Sequence, residues 1–527
     1  MEPIHLFELV IGMFVAIIAL HYVAHRLGLP PSVALLSGGA MLAFMPGLPA
    51  IAVDPELVLV IFLPPLLLDG AWTIAVGRLR RHLIGIASLA IGAVFFTAAV
   101  VAVVTHFIFP SLPWAACAAL GAIVSPPDAV SARAVLQRVQ LPRRLQILLE
   151  GESLLNDASG LVLFRFAIAA GVTGAFSAGE AVGNFFLLAI GGALVGLAIG
   201  TAWVLLARRL GDEYLIIAAT ALLSWTSYLL GEFLHVSGVI ATVTTGLVAS
   251  WHQHTVLSAA TRMRGSAFWT VIVFLMEAAV FILIGLSLRG VVERGGGFET
   301  VAATLGWPIL MVLFALTVAR FFWVFGSDFA IWLGNRLGLK RYTPVGARGA
   351  TVLSWAGVRG VVTLALALSV PEGFPGRDFI LVTSFAVILG TVLMQGTTLG
   401  RVIAWARLVE PSSEKAPLTL SQAEAAMAQA QLITIQSRAY DAAGNLIHPQ
   451  LLDRYQRRAV SIVDYAARTE HYTPILHAHF DVVLEAVATG RRELIRLHRA
   501  GEIDDETLHE LERDLDLEEL SAISAKA

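Results

Sequence analysis

Cysteine is almost absent: Cys117 is the only one in 527 residues, which excludes an intrachain disulfide and leaves no thiol cluster for a metal or redox centre. Charge is scarce as well. Only 14% of residues are Asp, Glu, Lys or Arg, against 57% hydrophobic, whereas an ordinary soluble domain carries roughly 25% charged residues. The composition excludes a soluble globular enzyme as a reading of the whole chain. Nothing in the sequence has the pattern of a nucleotide-binding loop, a nucleophile elbow or a nucleic-acid-binding basic patch. The first apolar run follows MEPI, with no basic stretch before it and no small-residue cleavage site after it, so it reads as a retained span rather than a signal peptide.

Long apolar runs are what the sequence has instead. A helix needs about 20 apolar residues to cross ~30 Å of hydrocarbon. Runs of that kind recur thirteen times, at approximately 5–25, 31–47, 55–75, 83–108, 113–136, 144–171, 178–207, 213–231, 236–251, 267–289, 301–333, 347–370 and 378–404. Alternate loops collect the basic residues, among them Arg26, Arg78, Arg80, Arg81, Arg133, Arg138, Arg143, Arg144, Arg208, Arg209, Arg262, Arg264, Arg336, Lys340, Arg341 and Arg348. The opposite loops hold only Arg289, Arg294 and Arg377. Basic residues accumulate on the cytoplasmic side, which sets the N-terminus outside and the C-terminus inside. Residues 1–410 form the expected transmembrane domain. Residues 411–527 carry twelve Lys and Arg against nineteen Asp and Glu, and their helical periodicity predicts water-exposed amphipathic helices in a cytoplasmic tail. That tail is read as a solvated surface or as a regulatory module.

The fold class expected is an all-α polytopic membrane protein. Its thirteen spans divide as six, a linker and six, an inverted repeat of the kind common in secondary transporters. The fifth span of each half is then the place to look. In the first half it contains SPPDAVSA, where Pro126 and Pro127 supply no backbone N–H and force the helix to break. In the second half Gly357 and Gly360 bracket Arg359. Broken backbone at membrane depth is tolerated where it is buried in protein or lines a cavity, and Asp128 lies at the first break.

The sixth span, LLEGESLLNDASGLVLF, puts Glu152, Ser153, Asn156 and Asp157 within two turns. At about 100° per residue they fall within 140° of one another, on one side of the helix. An intramembrane carboxylate costs about 3 kcal/mol or more at the bilayer centre, so its presence points to pairing or function. Glu152 and Arg359 can cancel as a buried ion pair. A carboxylate in such a place holds either H⁺ or a small hard cation, but not comfortably both. Carboxylate, the Ser153 hydroxyl, the Asn156 amide and freed carbonyls such as that of Pro127 form an oxygen set suited to an alkali ion. His21, His25, His82, His106, His235, His252 and His254 are read as interfacial or loop residues, and Arg165 as snorkelling toward the outer interface.

These residues resemble those of the monovalent cation:proton antiporters of the NhaP and sodium/hydrogen-exchanger type. The matching pieces are IFLPPLLLDGAW, SPPDAVSA, LLEGESLLNDASGLVLF, FLMEAAVFILIGLSL and SWAGVRGVVTLALAL, in the family's order over about 400 residues. The resemblance implies Asp157 as the principal cation and proton carboxylate, with Asp128 and Ser153 coordinating Na⁺. It implies electroneutral exchange from the Asn156–Asp157 pair, and a Glu152–Arg359 ion pair holding the core together. Asp69 matches an acid of the ion funnel in some members, or is an interfacial acid beside Arg78. Glu277 and Arg320 resemble further charged positions, pairing structurally or serving regulation. The family also implies a plasma-membrane homodimer that needs no cofactor, its partners being monovalent cations, protons and the lipid bilayer. Where many members have Thr-Asp-Pro at the break, this chain has Pro127, Asp128 and Ala129. The default cargo is Na⁺ or Li⁺; K⁺ is the alternative, and a cation channel or receptor is a reading from a different class.

Overall fold

The computed structural model describes residues 3–45, 55–74, 76–128, 141–174, 178–338, 343–408, 420–441, 445–467, 469–500 and 502–526. Among these residues the secondary structure is helical, with one isolated bridge between Tyr440 and Leu446. The chain divides into two compact units, Met1–Glu410 and Pro411–Ala527.

The first unit contains α1 (Pro3–Leu27), α2 (Pro31–Ala43), α3 (Pro55–Thr73), α4 (Val76–Ala87), α5 (Val94–Ile108), α6 (Trp114–Val124), α7 (Arg143–Thr173), α8 (Ala178–Ala207), α9 (Glu213–Phe233) and α10 (Gly238–Val256). It continues with α11 (Ala259–Arg294), α12 (Phe298–Arg336), α13 (Ala347–Trp355), α14 (Val361–Leu368), α15 (Arg377–Thr391) and α16 (Thr397–Ala406). One wide, π-type turn, Ser88–Ala93, joins α4 to α5, and another, Val392–Gly396, joins α15 to α16. Such turns insert an extra residue without ending the helix. The first is braced by Trp323, whose Nε1 donates to the Ser88 carbonyl at 2.9 Å.

Eight helical stretches among the described residues are long and apolar enough to cross a bilayer: those in α1, α4–α5, α7, α8, α9, α11, α12 and α15–α16. The other five expected spans fall short for identifiable reasons. α2 and α6 have only 13 and 11 residues, and the apolar stretch of α3, from Leu57 to Thr73, is likewise too short. α10 is interspersed with Thr242, Thr244, Thr245, Ser250, His252 and His254. The twelfth is divided into α13 and α14, of nine and eight residues. Part of the fifth expected span, together with Arg133, Arg138, Lys340 and Arg341 of the basic loops, lies outside the described residues.

The glycine-rich run of α8 fitted either an interface between copies or internal packing. Gly192, Gly196 and Gly200 lie against Ser237, Ala241 and Val248, so this stripe lets α8 close on α10. The other side of α8 exposes Leu187, Ile190, Leu194 and Leu197.

In the second unit, α17 (Leu420–Arg438) packs on α18 (Pro449–Ala467), and α19 (Thr469–Arg499) on α20 (Asp505–Lys526). Charge zips the latter pair: Arg491 meets Asp516 at 2.5 Å and Glu519 at 2.6 Å, and Lys526 meets Asp481 at 2.5 Å. Asp504 caps α20 by accepting from the Thr507 amide at 2.8 Å. Hydrogen bonds from the Thr507 side chain and backbone hold the Asp504 carboxyl below the usual carboxylate range.

Candidate functional site: a carboxylate-lined cavity at two crossed helix breaks

The two breaks are built from different sequence devices and fastened to each other. α6 stops at Val124, and Ser125 to Asp128 run non-helical through the proline pair. α13 stops at Trp355, and Ala356 to Gly360 lead into α14. The Asp128 amide donates to the Val358 carbonyl at 2.7 Å. In return the Asp128 carboxylate accepts from the Val361 amide at 3.4 Å, at the first turn of α14. A helix N-terminus carries unpaired N–H groups and a partial positive charge, so an acid here anchors one broken helix on the other. Gly360 is required by this contact: a Cβ at that position would fall on the Asp128 carboxylate.

Arg359, 1% exposed, completes the junction in a way the sequence did not reveal. Its Nε donates to the Val124 carbonyl at 2.8 Å and its Nη2 to the Ser125 carbonyl at 3.1 Å, while Nη1 donates to Gly357. Its own amide donates to Thr391 Oγ1 at 3.1 Å. The C-terminal end of α6 bears partial negative charge and orphan carbonyls, and this guanidinium satisfies them. The expected Glu152–Arg359 ion pair is therefore corrected. Glu152, also 1% exposed, is held by Arg320, with Nη1 to Oε1 at 2.6 Å and Nη2 to Oε2 at 2.9 Å. Arg320 further donates to the Leu353 carbonyl from Nη2 at 3.0 Å. The pairing of Arg320 with Glu277 that the sequence allowed gives way to this two-pronged bond, which ties α7 to α12 and α13. Planar, forked geometry is what an Arg–carboxylate pair needs to compensate desolvation.

On α7 the polar residues separate into two stripes. Gln146, Glu150, Ser153 and Asp157 recur at spacings of 4, 3 and 4 and line a cavity of ≈ 600 Å³, the period that puts residues on one helical face. Glu152 and Asn156 lie one step round and are buried. Asn156 Nδ2 donates to the Pro127 carbonyl at 2.5 Å, and its Oδ1 accepts no hydrogen bond among the described residues. Asn156 thus braces the first break from behind the cavity wall.

The cavity wall includes Pro127, Asp128, Ser153 and Asp157 together with Asp69, Glu150, Glu152, Glu277 and Arg320. Among the described residues its lining thus holds six carboxylates and the Arg320 guanidinium, which is bonded to Glu152. Sequence reasoning had left out Gln146, Glu150 and His21. The first two are legible in retrospect as the upstream continuation of the 153/157 stripe. His21 had been placed at an interface, whereas it lines the cavity and meets Phe274 edge-on at 5.0 Å between ring centroids. At α7's other end Arg165 has a partner: its Nη2 meets Glu232 on α9 at 2.7 Å.

Comparison with known proteins decides what this site belongs to. The model of the sodium/hydrogen exchanger transmembrane family matches residues 11–405. The chain belongs to the sodium/hydrogen exchanger family. An uncharacterized Na⁺/H⁺ exchanger of Mycobacterium tuberculosis strain H37Rv is 31% identical over 98% of this chain and 96% of its own length. A sodium, potassium, lithium and rubidium/H⁺ antiporter of Bacillus subtilis is 34% identical over 73% of this chain and 60% of its own. The structure of the sodium proton antiporter MjNhaP1 from Methanocaldococcus jannaschii matches with a TM-score of 0.58 at 20% identity, over 76% of this chain and 98% of that one. The exchanger is accordingly a multi-pass membrane protein of a transporter family, and its coarse activity is cation/proton antiport. As an exchanger it treats alkali ions and protons as cargo. Among its described residues no group of three or more His, Cys, Asp or Glu side chains is arranged to hold a metal ion.

Proposed function

We propose that the chain exchanges Na⁺ or Li⁺ for H⁺ by alternating access, with cation and proton competing for Asp157. The observation that carries this reading is the arrangement of Asp157, Ser153 and Asp128 on one cavity wall, where α7 passes the two crossed breaks. Asp157 is the fifteenth of the 31 residues of α7, mid-way along a helix about 46 Å long. Asp157, Ser153 and Asp128 are the proposed cation ligands. Pro127 adds its carbonyl through the lone pair that Asn156 leaves over, and Asp69 is the proposed acid of the approach. Asn156 contributes as a brace and as a neutral neighbour. One ionisable carboxylate per cycle then gives one proton per cation, an electroneutral exchange.

The cavity lining extends toward one set of helix ends. Its outer lining comes from His21 near the end of α1, Ser32 at the start of α2, Thr73 at the end of α3, Gln146 at the start of α7 and Thr270 in α11. These positions adjoin the helix ends that bear Arg26, Arg80, Arg81, Arg144, Arg262 and Arg264. By the charge rule that side is cytoplasmic, so the conformation is inward-open, with N-terminus outside and tail inside. Thirteen spans in a six-one-six inverted repeat accommodate both breaks at matching positions. A homodimer in the plasma membrane, with the 411–527 unit as a regulatory tail on the 1–410 antiporter domain, completes the reading.

K⁺ is the alternative cargo, favoured by the B. subtilis relative whose name spans sodium to rubidium. A cation series decides. Inverted vesicles acidified inside are expected to lose part of their pH gradient when Na⁺ or Li⁺ is added. A larger response to K⁺ would replace the Na⁺ assignment. A cation current without proton movement would replace exchange by a channel.

A further inference from the structure

α7 meets different surroundings along its length. Between Gln146 and Asp157 it lines the carboxylate cavity, which it shares with Thr73 of α3 and Thr270 of α11. Beyond Asp157 the space gives way to packing: Ala158 joins one apolar cluster with Tyr228 of α9 and with Val239 and Val243 of α10, and Leu161 packs against that cluster. Eight residues past Asp157, about two turns on, Arg165 Nη2 meets Glu232 Oε2 at 2.7 Å. The other oxygen of this carboxylate, Oε1, accepts from the Gly238 amide at 3.3 Å, at the first residue of α10. Glu232 therefore gathers three helices at one point: it belongs to α9, holds the start of α10 and carries the guanidinium of α7. The pair differs in kind from Glu152–Arg320. Its side chains are 41% and 29% exposed, so parting them strands no fully buried charge, whereas a buried pair resists separation.

Alternating access turns Asp157 from the basic ends of the helices toward the opposite ends, and here that means parting α7 from α9 and α10 beyond Asp157. We infer, on that reading of the transport cycle, that Arg165 and Glu232 form a releasable latch that holds the site turned to the basic face. They are positioning residues for the side on which the cation is taken up. A partly exposed ion pair biases two such orientations by a factor of about two to five, enough to favour one without arresting the cycle. Apparent affinity at either face scales with the fraction of molecules whose site is turned to it. Releasing the latch therefore acts with opposite sign on the two faces, which a purely structural role would not do.

Two measurements on the full chain test this. The first is free of transport: spin labels at Val172→Cys on α7 and Phe233→Cys on α9, both exposed positions, report the separation of the two helix ends in lipid nanodiscs, the native Cys117 being buried. Arg165→Gln should raise the ratio of longer to shorter separations about two- to fivefold, while Arg165→Lys, which keeps the charge, should stay near the unaltered protein. The second compares inverted with right-side-out vesicles. In Arg165→Gln the Na⁺ concentration giving half-maximal exchange should fall about two- to fivefold at the face opposite the basic one and should not fall at the basic face. Glu232→Gln opens the same pair from the other side while its amide oxygen still accepts from Gly238, and replaces Arg165→Gln should that variant fail to insert. An unchanged distribution of separations would overturn the latch, as would half-maximal concentrations that move alike on both faces. Separations that respond to Arg165→Gln in a protein showing no exchange at all would count against the antiport reading and leave the latch standing.

Discussion

Asp157→Asn should leave a folded, membrane-inserted protein that moves no protons in response to Na⁺, Li⁺ or K⁺. The substitution keeps the size and hydrogen-bonding shape of the side chain and removes only its ability to exchange a proton for a cation. Because Asp157 faces the cavity, losing the charge strands no buried partner, and folding should be little affected. Asp128→Asn should behave differently. Its Oδ1 can still accept from the Val361 amide, so the crossing survives, while one negative charge leaves the site; exchange should persist with weakened cation affinity. The measurement is gradient dissipation in inverted vesicles, with expression and monodispersity checked for each variant. Full exchange by well-folded Asp157→Asn would refute the site.

The second large effect concerns the Glu152–Arg320 pair. Arg320→Met leaves a 1%-exposed carboxylate without its forked partner, and breaking a buried pair in this way costs about 3–5 kcal/mol. Unfolding in detergent should move to much lower temperature, and exchange should fall with it, because Glu152 and Asp157 are carried by the same two turns of α7. Removing both partners, as in Glu152→Leu with Arg320→Met, should recover a good part of the loss, since apolar replacements of both members of a buried pair are often neutral. A double-mutant cycle gives the sharper reading. Strong coupling is expected between positions 152 and 320 and weaker coupling between 152 and 359. The reverse order would restore the pairing first read from the sequence.

That correction marks where sequence reasoning stops. The first break was legible because Pro126 and Pro127 cannot continue a helix, and the second because glycines flank a charge that apolar surroundings do not tolerate alone. The period of α7 brought Ser153 and Asp157 to one side, but it did not separate them from Asn156, which braces the Pro127 carbonyl behind the wall. Which arginine reaches Glu152 depends on the register of α12 against α7, across 168 residues of chain, and no local pattern encodes that. The role of Arg359 was hidden similarly: an arginine beside a break can seek a carboxylate or orphan carbonyls, and only the crossing of the breaks decides. Arg165 and Glu232 were both visible, but their meeting depends on how α7 lies on α9. His21 looked interfacial because it sits near the end of an apolar run; its place on the cavity wall comes from the packing of α1 and α2 beside α11.

The same geometry explains why some spans are short. A span buried on all sides by protein does not need the length or apolarity of one facing lipid. α6, α13 and α14 are the extreme case, since Arg359, Asp128 and Asn156 satisfy backbone groups that an unbroken helix would have satisfied itself.

The central claim is that a proton and an alkali ion take turns at Asp157. It is tested most directly by the Na⁺ concentration giving half-maximal exchange, measured across a range of pH in reconstituted vesicles at fixed gradient. If the two ligands exclude each other one for one, that concentration should rise about tenfold for each unit of pH on the acid side, with the rate at saturating Na⁺ unchanged. A half-maximal concentration that stays constant while the maximal rate falls with acidity would mean that proton and cation bind at separate places, contradicting the account.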